Sequence, residues 1–321
     1  MRARHMLGGL VTAALVLGAT SPAIATFPGG NGEIAFTSSN RVTGARAMRT
    51  VFDGGSPGHV LFPANHPPTA LDADWSPDGG TMAVHVFNRS FISDRIILLD
   101  VDTGTRSLVI RAADMPGPAA IYSVAFAPTG DALVVCISAG SSTRLYTMGT
   151  DGSDVTLVSG NPDCYADWSA ANRIVATRGK AFSNAQQIVT MDPDGSDVQV
   201  AVDASGVGMG EGVAVAPSWS GDGSFFVYSV EDDGTGQFDL YTIEGNGSGE
   251  ERLTQSLRRS EFAPVFSPDS TRVVFVKAKG RPFTRPAATD IFSVATNGTG
   301  TQRLTETPNR NELTRSWQAV P

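Results

Sequence analysis

The chain has 321 residues, with 32 acidic and 24 basic side chains and a formal net charge of −8. A balance this acidic argues against a partner held by phosphate neutralisation, so nucleic acid is not expected.

Taken from the N-terminus, the first feature is an export signature. Arg2 and Arg4 precede an apolar stretch from Met6 to Leu17, and Ala23-Ile24-Ala25 matches the small-x-small pattern of signal-peptide cleavage. The stretch is too short to span a membrane, and no cysteine beside it offers a site for a lipid. Residues 1–25 are therefore expected to be a signal peptide. The mature protein, 26–321, is expected to be exported to a periplasm or the extracellular space and not to span a membrane. Its 296 residues would carry a net charge of −10.

The first strand is predicted over Gly32-Glu33-Ile34-Ala35-Phe36-Thr37. It lacks the turn that precedes the corresponding strand in every later repeat. The clearest complete copy is Asp74-Trp75-Ser76-Pro77-Asp78-Gly79 ahead of Met82-Ala83-Val84. Echoes begin at Phe126, Trp168, Trp219 and Phe266, at steps of 51, 42, 51 and 47 residues, and a further step of 51 reaches Trp317. There the chain stops without the apolar strand. The turn-side half of this copy thus lies at the C-terminus and its strand at the N-terminus.

A second pair of strands follows in each copy. The third strands read Arg95–Leu99, Arg144–Met148, Gln187–Met191, Asp239–Ile243 and Asp290–Val294. Four of them run into Asp151-Gly152, Asp194-Gly195, Asn246-Gly247 and Asn297-Gly298, which supply the positive φ of a tight hairpin and lead into short fourth strands. Val, Ile, Phe, Tyr and Thr runs between Pro, Asp and Gly exclude helical repeats. The prediction is an all-β, six-bladed β-propeller of four-stranded antiparallel blades, at about 49 residues per blade. A C-terminal strand around Thr314–Val320, paired inside the N-terminal strand around Glu33–Thr37, would close the ring. No second domain is expected.

Several segments mimic catalytic motifs. Gly54-Gly55-Ser56-Pro57-Gly58 has the nucleophile-elbow pattern, but it aligns with the hairpins between third and fourth strands, so Ser56 reads as a turn serine. Asp192-Pro193-Asp194-Gly195-Ser196-Asp197 has Asp197 where an EF-hand loop needs glycine, and Glu231-Asp232-Asp233 reads as a solvated loop. His59, His66 and His85 show no metal-binding spacing. Gly206 to Gly212 lacks the strand-loop-helix setting of a phosphate loop. No metal and no cofactor are expected. Cys136 and Cys164 leave two readings open, a disulfide in an oxidising compartment or two buried small residues.

Short, uniform turns are expected at one end of the ring, and long, dissimilar connections at the other. Two of those connections are basic, with Arg258 and Arg259 in one and Lys277, Lys279, Arg281 and Arg285 in the next; Arg310 adds a third contribution. These seven cations are the candidate binding residues, to be weighed against ordinary solvated charge.

The repeated Trp/Phe-Ser-Pro-Asp-Gly turn before an apolar strand, over residues 31–321, resembles the WD-repeat-like propeller of the TolB family. In TolB an α/β domain that binds other components of the cell-envelope Tol system precedes the propeller; here the resemblance covers the propeller alone. It implies the fold and a general binding or scaffold role; a protein or glycan is the expected partner, and the chain is expected to be a monomer. Similar propellers also occur as non-catalytic domains of prolyl-oligopeptidase-type peptidases and as oligogalacturonate lyases. The competing expectation is therefore a polysaccharide lyase or hydrolase with its site in the central channel.

Overall fold

The computed structural model describes residues 28–64, 69–87, 94–115, 120–139, 142–179, 187–203, 216–231, 237–256, 259–279 and 288–320. Blade 1 contains β1 (Gly30–Asn40), β2 (Arg46–Val51) and β3 (Pro57–Phe62). Blade 2 holds β4 (Thr69–Trp75), β5 (Thr81–Phe87), β6 (Arg95–Asp100) and β7 (Arg106–Arg111). In blade 3 follow β8 (Ile121–Phe126), β9 (Ala132–Ala139), β10 (Ser142–Gly149) and β11 (Thr156–Ser159). Blade 4 is β12 (Asp163–Trp168), β13 (Ile174–Arg178), β14 (Gln187–Met191) and β15 (Gln199–Asp203). Blade 5 is β16 (Ser218–Trp219), β17 (Phe225–Glu231), β18 (Phe238–Glu244) and β19 (Glu251–Arg252). Blade 6 comprises β20 (Arg259–Phe266), β21 (Arg272–Lys279), β22 (Thr289–Ala295) and β23 (Gln302–Arg303). The last strand, β24 (Arg310–Val320), joins blade 1, giving six four-stranded sheets, each antiparallel throughout.

Second strands are buried on both faces, as β5 shows, and their apolar runs follow from that position. Fourth strands such as β19 and β23 are exposed, short and polar. The apolar interior is divided into layers between neighbouring blades. Met48 and Phe62 of blade 1 meet Trp75, Met82 and Val84 of blade 2. The ring closes where Val274, Ile291 and Leu304 of blade 6 meet Ile34, Phe36 and Trp317 of blade 1. Each large apolar side chain enclosed in this way contributes about 1.5–3 kcal/mol.

Closure follows the expected scheme, with longer strands. β24 pairs with β1 from Gly30 opposite Val320 to Asn40 opposite Arg310, so both strands run to eleven residues. The Trp317 indole N–H donates to the Gly32 carbonyl (3.2 Å), and the Glu33 N–H donates to the Gln318 side chain (3.0 Å). Ser56 lies in the turn between β2 and β3, outside any strand-to-helix setting.

The glycines of the hairpins between third and fourth strands have a second function. Gly195 has φ +83°, and a Cβ there would lie 2.0 Å from the Val158 carbonyl of blade 3. Gly152 stands in the same way 2.2 Å from the Val109 carbonyl of blade 2. These turns press on the fourth strand of the preceding blade, so positive φ and close approach both demand glycine.

Candidate binding face and central channel

The inner strands β4, β8, β12, β16 and β20 end on buried aromatics, Trp75, Phe126, Trp168, Trp219 and Phe266, and β24 carries buried Trp317 three residues before its end. Residues of these strands line a central cavity of about 110 Å³. The side chain just before the aromatic reaches the next blade. Phe126 N–H donates to Asp74 Oδ2 (2.8 Å), Trp219 N–H to Asp167 Oδ2 (2.7 Å), Trp75 N–H to Ser316 Oγ (3.2 Å) and Phe266 N–H to Ser218 Oγ (3.4 Å). The sequence carries this signal: Asp or Ser precedes each Trp at these positions, whereas Ala125 and Val265 precede the two Phe.

A bulge interrupts inner-strand pairing midway along five of the six blades, around Leu71, Tyr122, Tyr165, Ala263 and Arg315. Tyr165 and Ala263 take φ +50°, a left-handed conformation unusual for these residues. The bulges bring Asp72, Tyr165 and Arg315 to the channel wall. Arg315 Nη1 pairs with Asp72 Oδ1 at 3.0 Å, and Asp72 Oδ2 accepts the Val124 N–H (3.1 Å). Burial pushes the Tyr165 hydroxyl up to about 12, with the Asp72 charge adding to it.

Asp74 is a strongly perturbed carboxyl of the channel. Desolvation, reinforced by the charge of Asp167, raises it from 3.8 to about 7, against the stabilising bonds from Ser316 Oγ (2.5 Å) and Phe126 N–H. Desolvation also raises Asp167. Three carboxylates thus line the channel, but each already accepts bonds that join neighbouring blades.

At the opposite ends of the inner strands, toward the long connections, the expected basic cluster is divided. Arg258, Arg281 and Arg285 lie outside the described residues, as do His66, Asp232 and Asp233, Gly206 to Gly212, and most of the expected long connections. Arg259 is exposed and opposes Lys279 in the β20–β21 register. Lys277 lies within β21 rather than in a loop. Its Nζ pairs with buried Glu261 at 2.6 Å and stands over the Phe292 ring. Arg310 opens β24 and donates to Ser38 Oγ (3.3 Å). The difference for Lys277 comes from the length of the β20–β21 pairing, which continues to Arg259 opposite Lys279 and sets Glu261 opposite Lys277.

Cys136 of β9 and Cys164 of β12 are bonded, with Cα atoms 5.1 Å apart, linking blade 3 to blade 4. Beside them Arg178 holds buried Asp163 through two bonds of 2.7 and 2.8 Å, and Ser159 donates a third. In the Asp192–Asp197 hairpin, Asp192 and Asp197 each pair with Arg173 at 2.7 Å. His59 Nδ1 lies 2.9 Å from buried Glu33, and His85 stands 3.8 Å from Asp94. Among the described residues no group of three or more His, Cys, Asp or Glu is arranged to hold a metal ion. No helix there is long and apolar enough to cross a membrane.

Comparison with solved structures gives TolB from Acinetobacter baumannii at TM-score 0.68 and 19% identity, over 92% of this chain and 68% of that one. The fold is a TolB-like six-bladed β-propeller. A putative TolB from Agrobacterium tumefaciens aligns at TM-score 0.63 and 17% identity, over 90% of this chain and 99% of its own. The TolB-like ring also matches a chain of a nidogen/laminin complex at TM-score 0.63 and 9% identity, over 89% and 97%. Comparison with protein-family models gives no match, and comparison with curated proteins gives none. At these identities the shared feature is the propeller itself.

Proposed function

We propose that this chain is an exported propeller that recruits a protein or glycan partner through its long-connection face, acting as a monomer after removal of residues 1–25. The observation that carries the reading is the occupation of the channel carboxylates. Asp72, Asp74 and Asp167 are committed to bonds between blades, whereas Arg259, toward the long connections, is exposed. A rigid ring bearing variable connections suits recognition. The resemblance to TolB and the Cys136–Cys164 bond support export to an oxidising compartment.

The test compares capture of envelope components by the wild type and by a triple Arg258→Glu, Arg259→Glu, Arg281→Glu variant. Partners recovered by the first and lost by the second support recognition at this face; identical recovery refutes a basic recognition patch. N-terminal sequencing of the exported protein should begin at Thr26.

One observation favours the channel-enzyme reading. Asp74, raised to about 7 by burial and by the charge of Asp167, titrates in the range used for acid–base chemistry. Release of reducing ends from a polysaccharide panel, lost in Asp74→Asn, would establish that reading in place of the binder.

A further inference from the structure

A second cavity, of about 200 Å³, opens where blade 1 meets the long-connection end of the channel. Its polar side includes Arg46, Arg315, Asn311 and Glu312, and its apolar side Leu71, Phe262 and Leu313. Arg46 opens β2, is exposed, and has no ion-pair partner among the described residues. Arg315 forms the wall between this pocket and the channel: one end of its guanidinium pairs with Asp72, and the other donates to Thr37 Oγ1 (3.4 Å). Its Nε and the Asn311 Oδ1 are closed to water and unbonded, one donor and one acceptor left unsatisfied in the same wall. Asp72 pairs with Arg315 and the Glu312 carboxylate accepts from Thr305, so Arg46 supplies the positive charge that has no ion-pair partner among the described residues.

A ligand for this pocket must bring an anionic head for Arg46, an acceptor and a donor for the two unsatisfied groups, and an apolar body. The terminal residue of a polypeptide has all of these: a carboxylate, a backbone N–H and a side chain. We propose that the pocket binds the C-terminal residue of a protein partner. The carboxylate lies on Arg46 and Arg315, the N–H turns toward the Asn311 amide oxygen after a small side-chain shift, and an apolar side chain rests on Leu71, Phe262 and Leu313. This rests on recognition at the long-connection face and narrows it to a peptide terminus. A uronic acid shares the carboxylate but offers no apolar side chain for the second wall.

The experiment titrates the full mature chain with acetyl-Ala-Ala-Leu-Phe as the free acid, with the same peptide as its C-terminal amide, and with glucuronic acid. The free acid is expected to bind at least about tenfold more tightly than the amide, as loss of a charge-assisted contact implies. Arg46→Glu should remove that preference without changing the melting temperature, because the side chain is exposed; Arg46→Gln serves if the charge reversal disturbs folding. Equal binding of acid and amide, an undiminished preference in the Arg46 variants, no peptide binding, or binding of glucuronic acid alone would each overturn the proposal. If the peptide fails while capture still depends on Arg259, only the terminus-binding pocket falls.

Discussion

Asp74→Asn separates the structural cost of the channel acid from its bonds. In the folded chain this carboxyl is raised to about 7 by desolvation and the Asp167 charge. The unfolded chain releases the proton near pH 4 and the folded chain retains it to about pH 7, so stability falls as pH rises across that window. About three pKa units at ~1.36 kcal/mol each set a ceiling of about 4 kcal/mol. Asp74 is half-buried rather than enclosed, and solvent screening lowers the cost to on the order of 1–3 kcal/mol. Asparagine keeps an acceptor for the Phe126 N–H and has no charge to desolvate. The variant should match the wild type near pH 4 and exceed it by ~1–3 kcal/mol at pH 8, read from urea unfolding at pH 4, 6 and 8. Parallel pH slopes for the two proteins would refute a desolvated Asp74.

Deleting Thr314–Pro321 removes most of β24, including buried Trp317, and exposes the edge of β1; the loss should exceed ~4 kcal/mol and broaden the thermal transition. An unchanged melting temperature would count against closure by a shared blade. Gly195→Ala should cost about 2–3 kcal/mol, because it combines φ +83° with a Cβ 2.0 Å from the Val158 carbonyl. Gly104→Ala, at φ +70° with nothing within 4 Å, should cost about 1 kcal/mol. Chemical denaturation of both variants checks the difference, and equal losses would remove the inter-blade role of Gly195. Replacing Cys136 and Cys164 together by alanine should lower stability by about 3–4 kcal/mol, as expected for a closed loop with a sequence separation of 28. An unshifted denaturation midpoint in non-reducing buffer would contradict it.

Blade number, strand order and the divided blade are legible in the chain because they arise from short-range chemistry repeated at a regular interval. Asp-Gly at 194–195 dictates a hairpin wherever its blade sits, and the interrupted copy at Trp317 is completed by the strand at Ile34. The same locality explains why Ser56 is a turn residue despite its motif. Partnerships between blades are of another kind. Lys277 looks like a loop cation until β20 brings Glu261 beside it, and Asp74 looks like part of a turn motif until Phe126 of the next blade donates to it. Arg46 and Arg315 stand far apart in sequence, with no pattern linking them, and share a pocket because ring closure sets β24 next to β1. Local turn and strand preferences therefore determined the propeller from residues alone. Which charges are spent, and which remain free to meet a ligand, was decided by the rotation of one blade against the next.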